Sequence, residues 1–202
     1  MIQGFAPDPP LALQLLITLR QIEPPIWRRL LVPDYLQLSQ LHNVLQGAMG
    51  WTNSHLHEFS IGGLSYGPMD AEARAMAYPA FDEKRVRLWD FKRQPGITFT
   101  YIYDLGDNWE HDVEIEDFVA VASADLPKVL DGARKCPPED VGSVDGYMSF
   151  VEAVLDPSHE EHQAMLTWFG GRFDPEEFDL AAANEAVRRA VRFARPSKRR
   201  QS

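Results

Sequence analysis

The stretch from Ile97 to Val119 constrains this chain more than any other. Ile97-Thr98-Phe99-Thr100-Tyr101-Ile102-Tyr103 alternates apolar and polar residues, and so does Trp109 to Val119. The polar link between them, Asp104-Leu105-Gly106-Asp107-Asn108, carries a glycine. Two alternating runs around such a link predict a β-hairpin. Its outgoing strand sets Asn108, Glu110, Asp112, Glu114 and Glu116 on one face, and Trp109, His111, Val113 and Ile115 on the other. The acidic row reads as a solvated face. A lone hairpin is barely stable in water, so the apolar face requires further strands or a helix.

The rest of the chain supplies them. Leu11 to Ile22 reads as a strand with Leu13, Leu15, Ile17 and Leu19 on one face, buried on much of both sides. Ile26 to Val32 reads as a neighbouring strand, ended by Pro33. Leu38, Leu41, Val44, Leu45, Ala48 and Met49 fall at helical spacing, with Ser39 as N-cap and Gly50 as terminator. His55 to Ile61 alternates again, placing His55, His57, Phe59 and Ile61 together before the Gly62-Gly63 turn. Pro68 to Lys84 reads as a loop or short helix, and Val86 to Trp89 as a short strand. After Val119 comes an irregular stretch rich in proline and glycine. Helical starts follow at Gly146, at Asp156-Pro157, at Asp174-Pro175 and at Asp179. The expected fold is α+β: a mostly antiparallel sheet packed on one central helix, with a helical C-terminal third. The expected organisation is a loose leader (1–10), one domain (11–193) and a basic disordered tail (194–202).

Composition excludes several classes. No apolar run approaches the roughly 18 residues that cross a bilayer, and the first residues lack the features of a signal peptide. One cysteine, Cys136, rules out an intrachain disulfide, which makes a cytoplasmic location the default. Seven of the 20 basic residues lie in 188–202, leaving 13 against 30 acidic side chains elsewhere. An acidic body of that kind repels a phosphate backbone. Nucleic acid would have to be met by the tail, through Arg195, Lys198, Arg199 and Arg200; the alternative is a solvated, frayed terminus. The five tryptophans lack interleaved basic residues, so they read as core rather than as a base-stacking platform.

Three groups carry chemistry. His111 faces inward, as a satisfied buried histidine or as a ligand. His55 and His57 stand two apart on one strand face; with His111 and Asp104 or Asp107 opposite, they would complete a divalent-metal site. Cys136-Pro137-Pro138-Glu139-Asp140 is a stiff approach that positions two carboxylates, which either join the site or cap backbone amides. The candidate pocket is therefore His55, His57, Tyr103, Asp104, Asp107, Trp109, His111, Glu139 and Asp140, with His55, His57, His111 and Asp104 as metal ligands. No P-loop, Rossmann fingerprint or nucleophile elbow is present.

Several segments together resemble the plasmid pRiA4b ORF-3-like family. They are Ile26-Trp27-Arg28-Arg29, Leu41-His42, Met49-Gly50-Trp51, His55 to Phe59, Tyr101 to His111, Cys136 to Gly142 with Gly146-Tyr147, and Asp156-Pro157 with His159-Glu160-Glu161-His162. Trp168 and Phe173-Asp174-Pro175 complete the set. Ser143 stands where the family pattern usually has a second glycine. The resemblance implies an α+β, cytoplasmic accessory protein found on plasmids and beside mobile elements, with no established activity. Three functions remain open: a binding protein with a His/Asp-lined pocket, a metal-dependent hydrolase or nuclease using that pocket, and a nucleic-acid-associated protein acting through its tail.

Overall fold

A computed structural model describes residues 11–69, 81–90, 95–120 and 126–193. The leader and the basic tail, with Arg195, Lys198, Arg199 and Arg200, lie outside the described residues.

The hairpin forms as its alternation predicts: β6 (Ile97–Tyr103) pairs antiparallel with β7 (Trp109–Ala120), Tyr103 opposite Trp109. Around it lie β1 (Leu11–Leu19), β2 (Trp27–Pro33), β3 (His57–Ile61), β4 (Leu64–Gly67), β5 (Phe81–Asp82) and β8 (Lys128–Ala133). The sheet runs β5-β4-β3-β6-β7-β1-β2-β8, antiparallel throughout except for the β4–β5 pair. β6 and β7 therefore sit at its centre. Four helices accompany it among the described residues: α1 (Leu38–Met49), α2 (Ser143–Leu155), α3 (His162–Phe169) and α4 (Leu180–Phe193).

One sheet face is apolar because the five contiguous strands β3, β6, β7, β1 and β2 contribute their inward sets. Leu13, Leu15, Ile17, Leu30, Val32, Phe59, Phe99, Tyr101, Val113 and Ile115 are all buried. α1 packs there through Leu38, Leu41, Val44 and Leu45. It shares the cover with α4, and Gly47 lets the two helices touch: a Cβ at 47 would lie 3.0 Å from the Ala186 backbone carbon. The other face is polar. Arg20 binds Glu110 and Asp112 across the strands, and Arg29 binds Glu116. The acidic row is half-exposed and threaded by these arginines. The edge strand β8 is closed by the side-chain amide of Asn184 on α4, which accepts from Val129 N–H and donates to Val129 C=O. This substitutes for a neighbouring strand and blunts the edge.

Several local expectations need correction. Gln37, not Ser39, caps α1, in a reciprocal pairing with Gln40; Gly50 does end it, with φ 94°. Val86 to Trp89 is no strand: Glu83–Arg85 and Leu88–Asp90 are short 3₁₀ turns, and Gln37 forms an isolated bridge with Arg87. Asp156-Pro157 opens a turn, with Asp156 accepting from Ser158; α3 begins six residues later, at His162. Asp174-Pro175 likewise opens a turn, and Asp179 caps α4 by accepting from Ala182 N–H. In both cases an Asx turn satisfies the side chain that otherwise caps a helix. β8 arises from the stretch expected to be irregular, because pairing with β2 overrides its weak local pattern.

A buried cation ties these layers together. Arg28, on the inward face of β2, is 2% exposed and forms no ion pair with a carboxylate among the described residues. Its guanidinium donates to the carbonyls of Trp27, Ala48, Ala133 and Arg134, at 2.7 to 2.9 Å, and to Cys136 Sγ at 3.4 Å. Ala48 is at the C-terminal end of α1, where the helix dipole favours a cation. Phe178 covers the other side, 4.2 Å from the guanidinium carbon.

Two core histidines are held neutral. Burial, more than the neighbouring His57, pushes His42 down to about 3. Its Nδ1 then accepts from the Tyr101 hydroxyl and its Nε2 donates to Asn53 Oδ1. Burial likewise pushes His111 down to about 4; its Nδ1 donates to the Tyr101 carbonyl.

Two predictions follow from these buried groups. Arg28→Met should destabilise the fold by about 3–5 kcal/mol, because several buried carbonyls lose their donors, and Arg28→Lys should recover only part of it; urea denaturation checks both. The histidines' folded pKa values lie below 6.5, so the unfolded chain binds more protons and stability falls as pH drops from 6.5 towards 4. Between pH 6 and pH 5 each should contribute a slope of up to about 1.4 kcal/mol per pH unit. His111→Gln should remove about half of it in denaturant midpoints measured over that interval.

Candidate metal centre

The hairpin turn and the Cys136–Gly142 loop meet at one end of the central strands. Asp104 leaves β6 with φ 55°, and its Oδ1 accepts from the backbone N–H groups of Gly106 (2.9 Å) and Asp107 (3.3 Å). The turn thus consumes one carboxylate oxygen and orients the other. Asp107 reaches across: its Oδ2 accepts from Gly142 N–H at 3.1 Å. It serves as a clasp between turn and loop.

The loop is anchored along its length. Cys136 lies against Arg28; burial raises its thiol to about 11, so it is no ready thiolate. Trp51 Nε1 donates to the Pro137 carbonyl. Glu139 Oε1 accepts from Thr52 N–H, the Thr52 hydroxyl and the Tyr103 hydroxyl, at 2.8 to 3.0 Å. Gly146 lets the loop fold back on α2: a Cβ there would sit 2.2 Å from the Val141 carbonyl oxygen. The backbone turns through Asp140, Gly142 and Ser143, all at positive φ. Ser143, at φ 63°, occupies a left-handed conformation that favours glycine.

His55 stands where the two meet. Its Nε2 lies 3.2 Å from Asp140 Oδ1, 3.6 Å from Asp104 Oδ2 and 3.8 Å from Glu139 Oε2. None of these is aligned as a hydrogen bond, and Nε2 is a buried nitrogen with no hydrogen-bond partner among the described residues. Asp104 spends Oδ1 on the scaffold and turns Oδ2 towards this imidazole; Glu139 Oε2 also faces it while accepting from the Tyr103 hydroxyl at 3.1 Å. His55 and Asp140 supply ligand atoms that, with one from Asp104, all lie within 4.8 Å of one another. Asp140 is the open side, its side chain 74% exposed. One nitrogen and two or three carboxylate oxygens in that space suit a borderline divalent ion such as Mn²⁺, Fe²⁺ or Zn²⁺.

The other residues read as metal ligands go elsewhere. β3 begins only at His57, so His55 is outside the strand and the pair do not share a face. His57 is buried, its Nε2 bound to Glu83 at 2.7 Å and its ring stacked on His42, centroids 3.4 Å apart. His111 is wholly buried beneath the hairpin against Trp51 and Tyr101. Trp109 is core, and Tyr103 acts as the support of Glu139. Sequence reasoning missed Thr52, which holds Glu139. It also missed His42 and Glu83, whose partners come from a helix and a 3₁₀ turn distant in sequence. The only local hint was His42 within the family motif.

The chain has relatives. An uncharacterized protein, y4hQ, of Sinorhizobium fredii (strain NBRC 101917 / NGR234) is 42% identical over 172 residues, 85% of each chain. The crystal structure of MM3350, a protein of unknown function from Methanosarcina mazei Go1, superposes with a TM-score of 0.76 at 31% identity, over 86% of this chain and 96% of that one. The family model for the plasmid pRiA4b ORF-3-like protein matches residues 11–182, and the chain belongs to that family.

Proposed function

We propose that this protein binds a divalent cation at His55, Asp104 and Asp140, with Glu139 as a fourth ligand. The observation that carries this reading is the orphaned His55 Nε2, faced by three carboxylate oxygens at 3.2 to 3.8 Å. Ligands about 2.1 Å from a tetrahedral ion stand about 3.4 Å apart, which matches those spacings. Three carboxylates converging on one point repel each other, and a cation between them removes that cost.

The donor set favours binding over hydrolysis. Three carboxylates around a divalent ion leave the centre with a net negative charge. That weakens its pull on an anionic phosphodiester and its acidification of a bound water. The acidic body opposes a nuclease for the same reason. The reading is therefore of a cytoplasmic, cation-holding accessory protein of the plasmid or mobile-element type. The buried thiol of Cys136 suits a reducing compartment.

Titration calorimetry with Mn²⁺ and Zn²⁺, on protein made without a polyhistidine tag, should show one ion per chain. Asp104→Asn and Asp140→Asn should each weaken binding at least tenfold, and Asp112→Asn, on the far sheet face, should not. Absence of ion uptake, or equal uptake by Asp104→Asn, would reject the centre. Ser143→Gly should relieve the left-handed strain and stabilise the protein by about 1 kcal/mol in thermal melts while leaving ion affinity unchanged.

A further inference from the structure

Beside the centre lies a second concavity, of about 330 Å³, whose walls are mostly polar. Its polar lining includes Ser39, Asn43, Asn53, Ser54 and His55, together with His42, His57, Glu83 and Lys84; Leu56 and Pro68 add apolar wall. Three of these, His42, His57 and Glu83, are buried titratable groups, 3%, 6% and 3% exposed. Burying a carboxylate and two imidazoles together costs stability, and such groups gathered in a cleft mark a site.

Their hydrogen bonds show what remains to be met. His42 is saturated, by Tyr101 on one nitrogen and Asn53 on the other. It forms a neutral plate on which His57 stacks, with 5° between the ring planes. Glu83 Oε2 fixes the other edge of His57 at Nε2. That leaves His57 Nδ1 and Glu83 Oε1 without hydrogen bonds among the described residues. Neither is among the sealed, unbonded side-chain atoms of the described residues, which are His55 Nε2 and His111 Nε2. Both belong to residues that line the cavity. In the neutral tautomer that donates Nε2–H to Glu83, Nδ1 is an acceptor, so the floor then presents two acceptors, one carrying negative charge. Lys84, which also lines the cavity, is exposed and forms no ion pair among the described residues. Amide and hydroxyl groups fill the space between.

We propose that this cavity binds a small zwitterion of the amino-acid class. Its ammonium group donates to Glu83 Oε1 and His57 Nδ1, its carboxylate meets Lys84, and Asn43, Asn53 and Ser39 serve its polar remainder. The size falls at the small end of ligand cavities, which suits a single amino acid rather than a peptide. This site does not depend on the cation centre, although His55 is common to both walls.

The twenty common L-amino acids, each titrated singly by calorimetry, test it, with ethylamine and acetate as one-ended controls. At least one amino acid should bind one-to-one with a dissociation constant below about 1 mM, a level characteristic of specific small-ligand binding. Ethylamine should bind at least tenfold more weakly, and acetate not measurably. Glu83→Gln should weaken the amino acid at least tenfold. Lys84→Met, at an exposed position where folding is not at risk, should do the same. Asp104→Asn should leave amino-acid binding intact, which separates this site from the cation centre. Failure of all twenty to bind, acetate binding as tightly as the amino acid, or undiminished affinity in Lys84→Met would each overturn the proposal.

Discussion

The structure hangs on the burial of Arg28. A guanidinium with no carboxylate beside it is costly, and it is retained because its donors meet carbonyls from three separate elements. Those carbonyls belong to the end of α1, the end of β8 and the start of the Cys136–Gly142 loop. A cation under the C-terminal end of α1 gains from the helix dipole, and Phe178 shields its exposed side. The consequence reaches the functional end of the molecule. The loop that carries Glu139 and Asp140 begins where Arg28 holds Arg134 and Cys136, and the helix that carries His42 ends where Arg28 holds Ala48.

From that anchor the candidate centre is assembled by division of labour within carboxylates. Asp104 uses Oδ1 to close its own turn and leaves Oδ2 free. Glu139 uses Oε1 on Thr52 and Tyr103 and turns Oε2, which also accepts from the Tyr103 hydroxyl at 3.1 Å, towards His55. Asp107 spends itself on Gly142, keeping turn and loop together. Rigid placement of the free oxygens is what separates a ligand set from an acidic surface, since preorganised donors need no ordering when the ion arrives. The left-handed backbone at Asp104, Asp140 and Ser143 is the strain that accompanies this placement.

Part of the centre was legible beforehand. The hairpin, its inward and outward faces and the helix over Leu38 to Met49 follow from periodicity alone. The pocket drawn from sequence contained all four proposed ligands, because the Pro-Pro approach and the carboxylate-bearing turn are local features. It also contained His57 and His111, and there local reasoning reached its limit. A two-residue spacing puts two histidines on one face only if both are in the strand, and β3 begins at the second. The 3₁₀ turn that delivers Glu83 to His57 has no apolar period to announce it. β8 was hidden for the same kind of reason: its pairing with β2 outweighs a weak local pattern.

By itself, then, the sequence determined the strands that alternate, the helix with a 3.6-residue stripe, the acidic balance and the family motifs. These depend on neighbours a few residues away, where side-chain direction repeats with the backbone. Only the tertiary structure decided that the turn of the central β6–β7 hairpin faces the Glu139–Asp140 loop, that His55 joins them, and that His57 turns to Glu83. Those partners are 26 to 85 residues apart in the chain. Their meeting is set by strand order and by the contacts of Arg28, Asp107 and Gly146, which no local period encodes.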